Sequence, residues 1–188
     1  EAMLLRDGAA RSLNLLRAMV SRNAGRRALI VALELSLAAV ALWSSYRFFG
    51  QVPIAAPFQY DYAEGSVLSA LLRITQGATP YPDPQALPNS INMYGPVAYY
   101  LLALPVKALG LNFLYPRAMI LGCAVAIAVL ISITLWRTTR SIALALTFGL
   151  VYLTIPNIQS WAWLLRVDLL GIAFMIAGLM VFSQRFDR

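Results

Sequence analysis

The sequence predicts an all-α integral membrane protein, a helical bundle of about four transmembrane helices with juxtamembrane helices on the extracytoplasmic side. The first reason is composition: of 188 residues, 60% are hydrophobic, and the mean hydropathy is +0.69. The second is that only 12% of the residues are charged, against about 25% in a typical soluble domain. The third is that the net charge of +7 comes from arginines flanking long apolar runs, a pattern that orients membrane helices.

Several classes of site are excluded by what the sequence lacks. It contains no histidine, which excludes histidine catalysis and histidine metal ligation within this chain. Its single cysteine, Cys123, lies inside an apolar run, so no internal disulfide or thiolate metal site can form. The sequence shows no cluster of metal ligands and assigns no cofactor, although carboxylates are able to hold a divalent ion. The arginines do not interleave with aromatic residues as on a nucleic-acid-binding surface, so no nucleic-acid partner is expected.

Residues 1–27 form a basic segment that we predict to be an amphipathic helix on the cytoplasmic side. Apolar residues interleave with six arginines, which is typical of a helix lying on an anionic membrane surface. The arginines are Arg6, Arg11, Arg17, Arg22, Arg26 and Arg27. This basic flank places the N-terminus in the cytoplasm, and membrane lipids are its predicted partner.

Long apolar runs supply the predicted spans of the membrane module, residues 28–188. A span needs about 20 predominantly apolar residues, and the run from Ala28 to Phe49 is long enough, with Glu34 expected near the interface. Further runs lie at 118–136, 142–155 and 169–182. Residues 50–95 are rich in proline and polar residues, and we predict that they form an extracytoplasmic loop.

The apolar segment 97–109 decides between four and five spans. As a helix it would be about 20 Å long, against roughly 30 Å of hydrocarbon, and it contains Pro105 and Lys107. We interpret it as a juxtamembrane or re-entrant helix, because four spans then place every dense basic cluster in the cytoplasm. The alternative is a short true span, which gives five.

An acidic pair opens the helix that we predict over residues 62–76. Asp61 and Glu64 are three apart, so they would share one helix face, and Asp61 is a suitable N-cap. The apolar residues that follow at helical spacing would hold the helix on the membrane. They are Val67, Leu68, Leu71, Leu72 and Ile74. The pair is either functional or a capping acid followed by a solvated one.

Two charged residues precede the last apolar run. With four spans, Arg166 and Asp168 lie on the same side of the membrane as the acidic pair. Because they are two apart, we expect them to point to different sides of a helix and to have other partners. They are either functional or an interfacial pair in contact with water.

These residues form an ordered pattern along the chain. Asp61-Tyr62-x-Glu64-Gly65 is followed by Gly77…Pro80-Tyr81-x-Asp83, Tyr94-x-Pro96, Arg117 and Arg166-x-Asp168. Over residues 28–183 the pattern resembles the N-terminal module of GT-C glycosyltransferases, nearest to the protein O-mannosyltransferase and lipid A aminoarabinose transferase group. Many of those enzymes have adjacent Asp-Glu in the first external loop. Here Ala63 precedes Glu64, so the identity of the base stays open.

The resemblance implies a function. Such enzymes transfer a sugar from a polyprenyl-phosphate carrier to an acceptor, unknown here, on the extracytoplasmic face; a bacterial inner (plasma) membrane is the expected location. Asp61 or Glu64 would be the catalytic base, and Arg117 or Arg166 would bind the departing phosphate. For Arg117 the alternative is an interface anchor. Further substrate-binding candidates are Asp168, Tyr62, Tyr81 and Tyr94, with an aromatic belt as the alternative for the tyrosines.

The enzymes that the chain resembles are much longer. The remainder of a longer chain, or a partner subunit, is therefore expected to complete the donor and acceptor sites. The alternative function is a non-catalytic membrane subunit or a transporter fragment. Convergence of the acidic pair with Arg166 and Asp168 on one cleft would favour the transferase.

Overall fold

The computed structural model describes residues 2–83, 85, 92 and 94–186, and the regular secondary structure within these ranges is α-helical. The helices are α1 (Ala2–Phe49), α2 (Tyr62–Thr75), α3 (Pro96–Leu109), α4 (Leu114–Thr139), α5 (Ile142–Tyr152), α6 (Pro156–Trp161) and α7 (Asp168–Phe186). The prediction of an all-α chain is confirmed for these residues. The side chains of residues 1–23 lie outside the described part, so the amphipathic face of the N-terminal segment stays a prediction.

Among the residues that the structure describes, two helices are long and apolar enough to cross a membrane. They are the Ala24–Phe49 part of α1 and the whole of α4, each 26 residues long. At ~1.5 Å per residue such a helix is about 39 Å long, which exceeds the ~30 Å hydrocarbon core. The apolar helices Pro96–Leu109, Ile142–Tyr152 and Asp168–Ser183 are shorter. The number of spans beyond these two stays a prediction.

Helix α5 packs between α1 and α4. A Cβ on Gly149 would lie 2.1 Å from Oγ of Ser132 and 2.7 Å from the carbonyl oxygen of Ala128, so only glycine permits this close approach to α4. Toward α1, the hydroxyl of Thr147 lies 3.4 Å from the carbonyl oxygen of Glu34. Small residues and a hydroxyl therefore hold α5 in place between the two longest helices.

The main core lies between α2, α3, α4 and the start of α7. The bounds of α2 and α3 agree with the predicted helices at 62–76 and 96–109, and Gly77 follows α2 in a left-handed conformation with φ of 80°. The apolar side of α2 faces this protein core, not the membrane surface as expected. Val67, Leu71 and Ile74 are buried there, whereas Leu72 is exposed.

Candidate functional site

A buried ion pair joins α2 to α4. The carboxylate of Glu64 accepts from Nε and Nη2 of Arg117 at 2.9 Å each, and both side chains are 0% exposed. Two parallel hydrogen bonds of this kind are the preferred geometry between a guanidinium and a carboxylate. The pair forms because α2 presents Glu64 in its first turn toward the start of α4.

Arg117 also holds the chain that precedes α2. Its Nη1 donates to the carbonyl oxygens of Ala56 at 2.9 Å and Ile54 at 3.3 Å, and Nη2 donates to that of Phe58 at 2.8 Å. The guanidinium lies over the ring of Phe113, 4.6 Å from its centroid. All five N–H donors of Arg117 are therefore used within the protein. The burial of this side chain does not fit the alternative of an interface anchor, and the predicted binding of a substrate phosphate finds no donor left to make it.

Backbone amides complete the environment of Glu64. Oε1 accepts from the N–H of Leu165 at 2.7 Å, and Oε2 accepts from the N–H groups of Tyr60 at 2.7 Å and Asp61 at 3.4 Å. Burial raises the pKa of Glu64, but the hydrogen bonds from Arg117, Leu165 and Tyr60 together outweigh it, so the pKa is lowered and the group is ionised. A carboxylate so enclosed has no path to a substrate proton.

A second set of charges lies beside this pair and is partly exposed. Nη1 of Arg166 is 3.4 Å from Oδ2 of Asp61, and Nε of Arg166 donates to Oδ2 of Asp168 at 3.3 Å. The exposed fractions of the side chains are 21% for Arg166, 16% for Asp61 and 34% for Asp168. We refer to Asp61, Arg166 and Asp168 as the open cluster. Unlike Glu64, its carboxylates are within reach of a ligand.

The structure corrects one prediction about this cluster. Arg166 and Asp168 were expected to point apart on a helix, but they form an ion pair. The reason is that α7 begins at Asp168, which leaves Arg166 in the turn before it. There the guanidinium lies over the ring of Trp161, 4.4 Å from its centroid. Burial lowers the pKa of Arg166, but Asp168, Tyr94 and Asp61 outweigh it, so its pKa is raised and it stays charged.

The three candidate tyrosines differ in placement. Burial and Asp168 raise the pKa of Tyr94, whose phenol lies beside Arg166. The hydroxyl of Tyr81 donates to the carbonyl oxygen of Tyr94 at 2.7 Å and so fixes its backbone. Tyr62 is 76% exposed at the start of α2. Tyr94 therefore adjoins the open cluster, Tyr81 supports Tyr94, and Tyr62 projects into solvent.

An apolar groove begins at Tyr94 and runs between α3 and α7. Its volume is about 250 Å³. The α3 side is lined by Tyr94, Gly95, Val97, Ala98 and Leu101, and the α7 side by Val167, Leu170, Gly171 and Phe174. Tyr94 therefore belongs to the lining of this apolar groove and also lies beside Arg166 of the open cluster.

Some parts of the site were missed from the sequence. The amide of Leu165 and the carbonyl groups before α2 carry no signal in residue type, because every backbone offers them. Trp161 was not among the predicted site residues, and the available signal was an aromatic residue five positions before Arg166. Within the described ranges, no three carboxylates or thiols come together as a candidate metal site.

Comparison with known proteins gives no match. No family model matches the chain, and no curated protein or solved structure matches it. The function of this chain is therefore inferred from the geometry of the open cluster and the neighbouring groove.

Proposed function

We propose that this chain is part of a membrane glycosyltransferase of the GT-C type, which transfers a sugar from a polyprenyl-phosphate carrier to an acceptor on the extracytoplasmic face. The observation that carries the proposal is the open cluster itself. Asp61 and Arg166, 105 positions apart by their numbering, approach to 3.4 Å, and Arg166 lies beside Tyr94, which lines an apolar groove. A carboxylate base, a phosphate-binding cation and an apolar surface for the lipid are the three elements that this proposal uses.

Each group has a defined chemical role in this proposal. Asp61 takes the proton of the acceptor hydroxyl as its oxygen attacks the anomeric carbon of the sugar. The bond between that carbon and the phosphate oxygen breaks, and the lipid phosphate leaves with the electron pair. Arg166 stabilises the negative charge on the departing phosphate. Asp168 and the ring of Trp161 orient Arg166, and Tyr94 lies at the entrance to the groove.

Glu64 and Arg117 support the site without touching a substrate. Glu64 accepts hydrogen bonds from the backbone amides of Asp61 and Leu165. Asp61 is the proposed base, and Leu165 precedes Arg166, the proposed phosphate-binding residue. The buried pair therefore sets the distance between the two functional side chains. We therefore assign the role of base to Asp61 and not to Glu64, and the binding of the phosphate to Arg166 and not to Arg117.

The proposal includes a topology with four spans and residues 50–95 outside a bacterial inner membrane. In a background with Cys123→Ser, a single cysteine at Lys107 should be labelled by an impermeant maleimide from the extracytoplasmic side, and one at Thr138 only from the cytoplasmic side. The reverse sidedness is the pattern of five spans and would exclude four.

The direct test is sugar transfer by the full-length protein from a defined polyprenyl-phosphate donor. Asp61→Asn keeps the shape and the capping capacity of the residue, and it should lower kcat by about 10²–10⁴, the usual contribution of a general base. Asp83→Asn is the matched control, because Asp83 is an exposed acid that caps a turn at the amide of Gln85. Unchanged transfer by Asp61→Asn would leave a non-catalytic membrane subunit as the better description.

A further inference from the structure

The cation of the open cluster is already occupied by the protein's own carboxylates. Oδ2 of Asp168 accepts a hydrogen bond from Nε of Arg166 at 3.3 Å, and Oδ2 of Asp61 lies 3.4 Å from Nη1 of the same side chain. Oδ2 of Asp61 is buried and accepts no hydrogen bond from the residues that the structure describes. This oxygen therefore has an ion partner but no hydrogen bond, whereas a buried charge is best stabilised by both.

We propose that Asp61 occupies the place of the substrate anion on Arg166, and that a lipid-linked phosphate must displace it before the acceptor can react. This rests on the proposed function and adds an order to it. Donor binding moves Nη1 of Arg166 from Asp61 to a phosphate oxygen and so frees the Asp61 carboxylate for the acceptor hydroxyl. Without the donor, the base stays paired and the acceptor meets no free carboxylate.

The geometry favours exchange at this one contact. A guanidinium has two edges, and Asp168 holds the Nε edge while Trp161 supports the face. Arg166 can therefore keep both contacts while its Nη groups change partner. Asp61 is anchored by its own backbone, because its N–H donates to Glu64 and its carbonyl accepts from the Glu64 amide at 3.0 Å. The exchange needs only a rotation of the Asp61 side chain.

Arg117 provides the internal contrast. Its five donors meet carboxylate and carbonyl acceptors at 2.8–3.3 Å, and its side chain is 0% exposed. Nothing can displace these partners without opening the core. Of the two arginines, Arg166 alone has a partly exposed side chain and an ion-pair contact that is not also a hydrogen bond, so competition for an incoming anion is specific to it.

Equilibrium binding of farnesyl phosphate to the full-length protein in nanodiscs tests the competition. Asp61→Asn removes the competing charge, and it should bind farnesyl phosphate about two- to fivefold more tightly than wild type, as expected for loss of one partly exposed ion pair. Asp61→Ser should do the same, and both residues are good N-caps, so α2 is retained. Asp83→Asn should bind as wild type, and Arg166→Gln should lose most of the affinity. Inorganic phosphate, tested in parallel, should show the same direction with weaker binding.

The outcomes separate the two proposals. If wild type binds farnesyl phosphate but both Asp61 variants bind it equally well or more weakly, the competition is overturned while the transferase proposal stands. If wild type does not bind farnesyl phosphate, both are overturned. Binding of inorganic phosphate with equal affinity would show that the groove contributes nothing, which overturns the lipid-linked form of the anion.

Discussion

Arg117 and Arg166 both pair with carboxylates near the start of α2, but one pair is closed and the other is open. Arg117 is fully buried and has an acceptor for each of its donors. Arg166 is 21% exposed and contacts its two acids at 3.3 and 3.4 Å. The same pair of residue types thus forms a fully buried ion pair in one place and a partly exposed one in the other.

Spacing in the sequence does not show which of two acids is buried and which is accessible. Asp61 and Glu64 were equivalent candidates when only their spacing was considered. The fold turns Glu64 inward, where it accepts five hydrogen bonds, and leaves Asp61 partly exposed, with one oxygen that accepts no hydrogen bond. Energetics should follow the same division, because breaking a buried ion pair costs far more than breaking an exposed one.

The largest expected effect on stability is at the closed pair. Arg117→Leu leaves Glu64 as an uncompensated buried charge and removes three carbonyl contacts, so the free energy of unfolding should fall by about 3–5 kcal/mol. Arg166→Leu is the matched control, and it should cost about 0–1 kcal/mol. Denaturant titration of both variants in detergent measures the difference. Equal losses would contradict the division into a closed and an open pair.

A smaller effect is expected from pH. The pKa of Glu64 is lowered in the folded state, so its contribution to stability is complete above the unfolded pKa of about 4.3 and is lost as pH falls through the folded pKa. Wild type should therefore lose more stability on acidification than Glu64→Gln, which has no proton to take up there. The free energy of unfolding, followed from about pH 6 to pH 3, makes the comparison. Parallel curves for the two proteins would show that Glu64 is not held ionised by the fold.

Much of the local structure followed from the sequence, and the site followed in part. Short-range signals located α2 and α3, because each depends only on residues within one turn of the chain. They are Asp61 as the N-cap of α2, Gly77 after its end, and Gly95-Pro96 at the start of α3. The partners of Glu64 did not follow, since Arg117 and Leu165 are 53 and 101 residues away and tertiary packing alone brings them together. The pairing of Arg166 with Asp168 was missed because it depended on whether the last helix began before or after Arg166.

The most direct measurement is sugar transfer per folded molecule for Asp61→Asn and Glu64→Gln, each purified from the full-length protein and assayed with the same polyprenyl-phosphate donor. If Asp61 is the base and Glu64 is structural, Asp61→Asn should unfold like wild type and transfer about 10²–10⁴ times more slowly. Glu64→Gln should be destabilised, while the molecules that remain folded transfer at a rate much closer to that of wild type. A stable but inactive Glu64→Gln beside an active Asp61→Asn would contradict this assignment of the two acids.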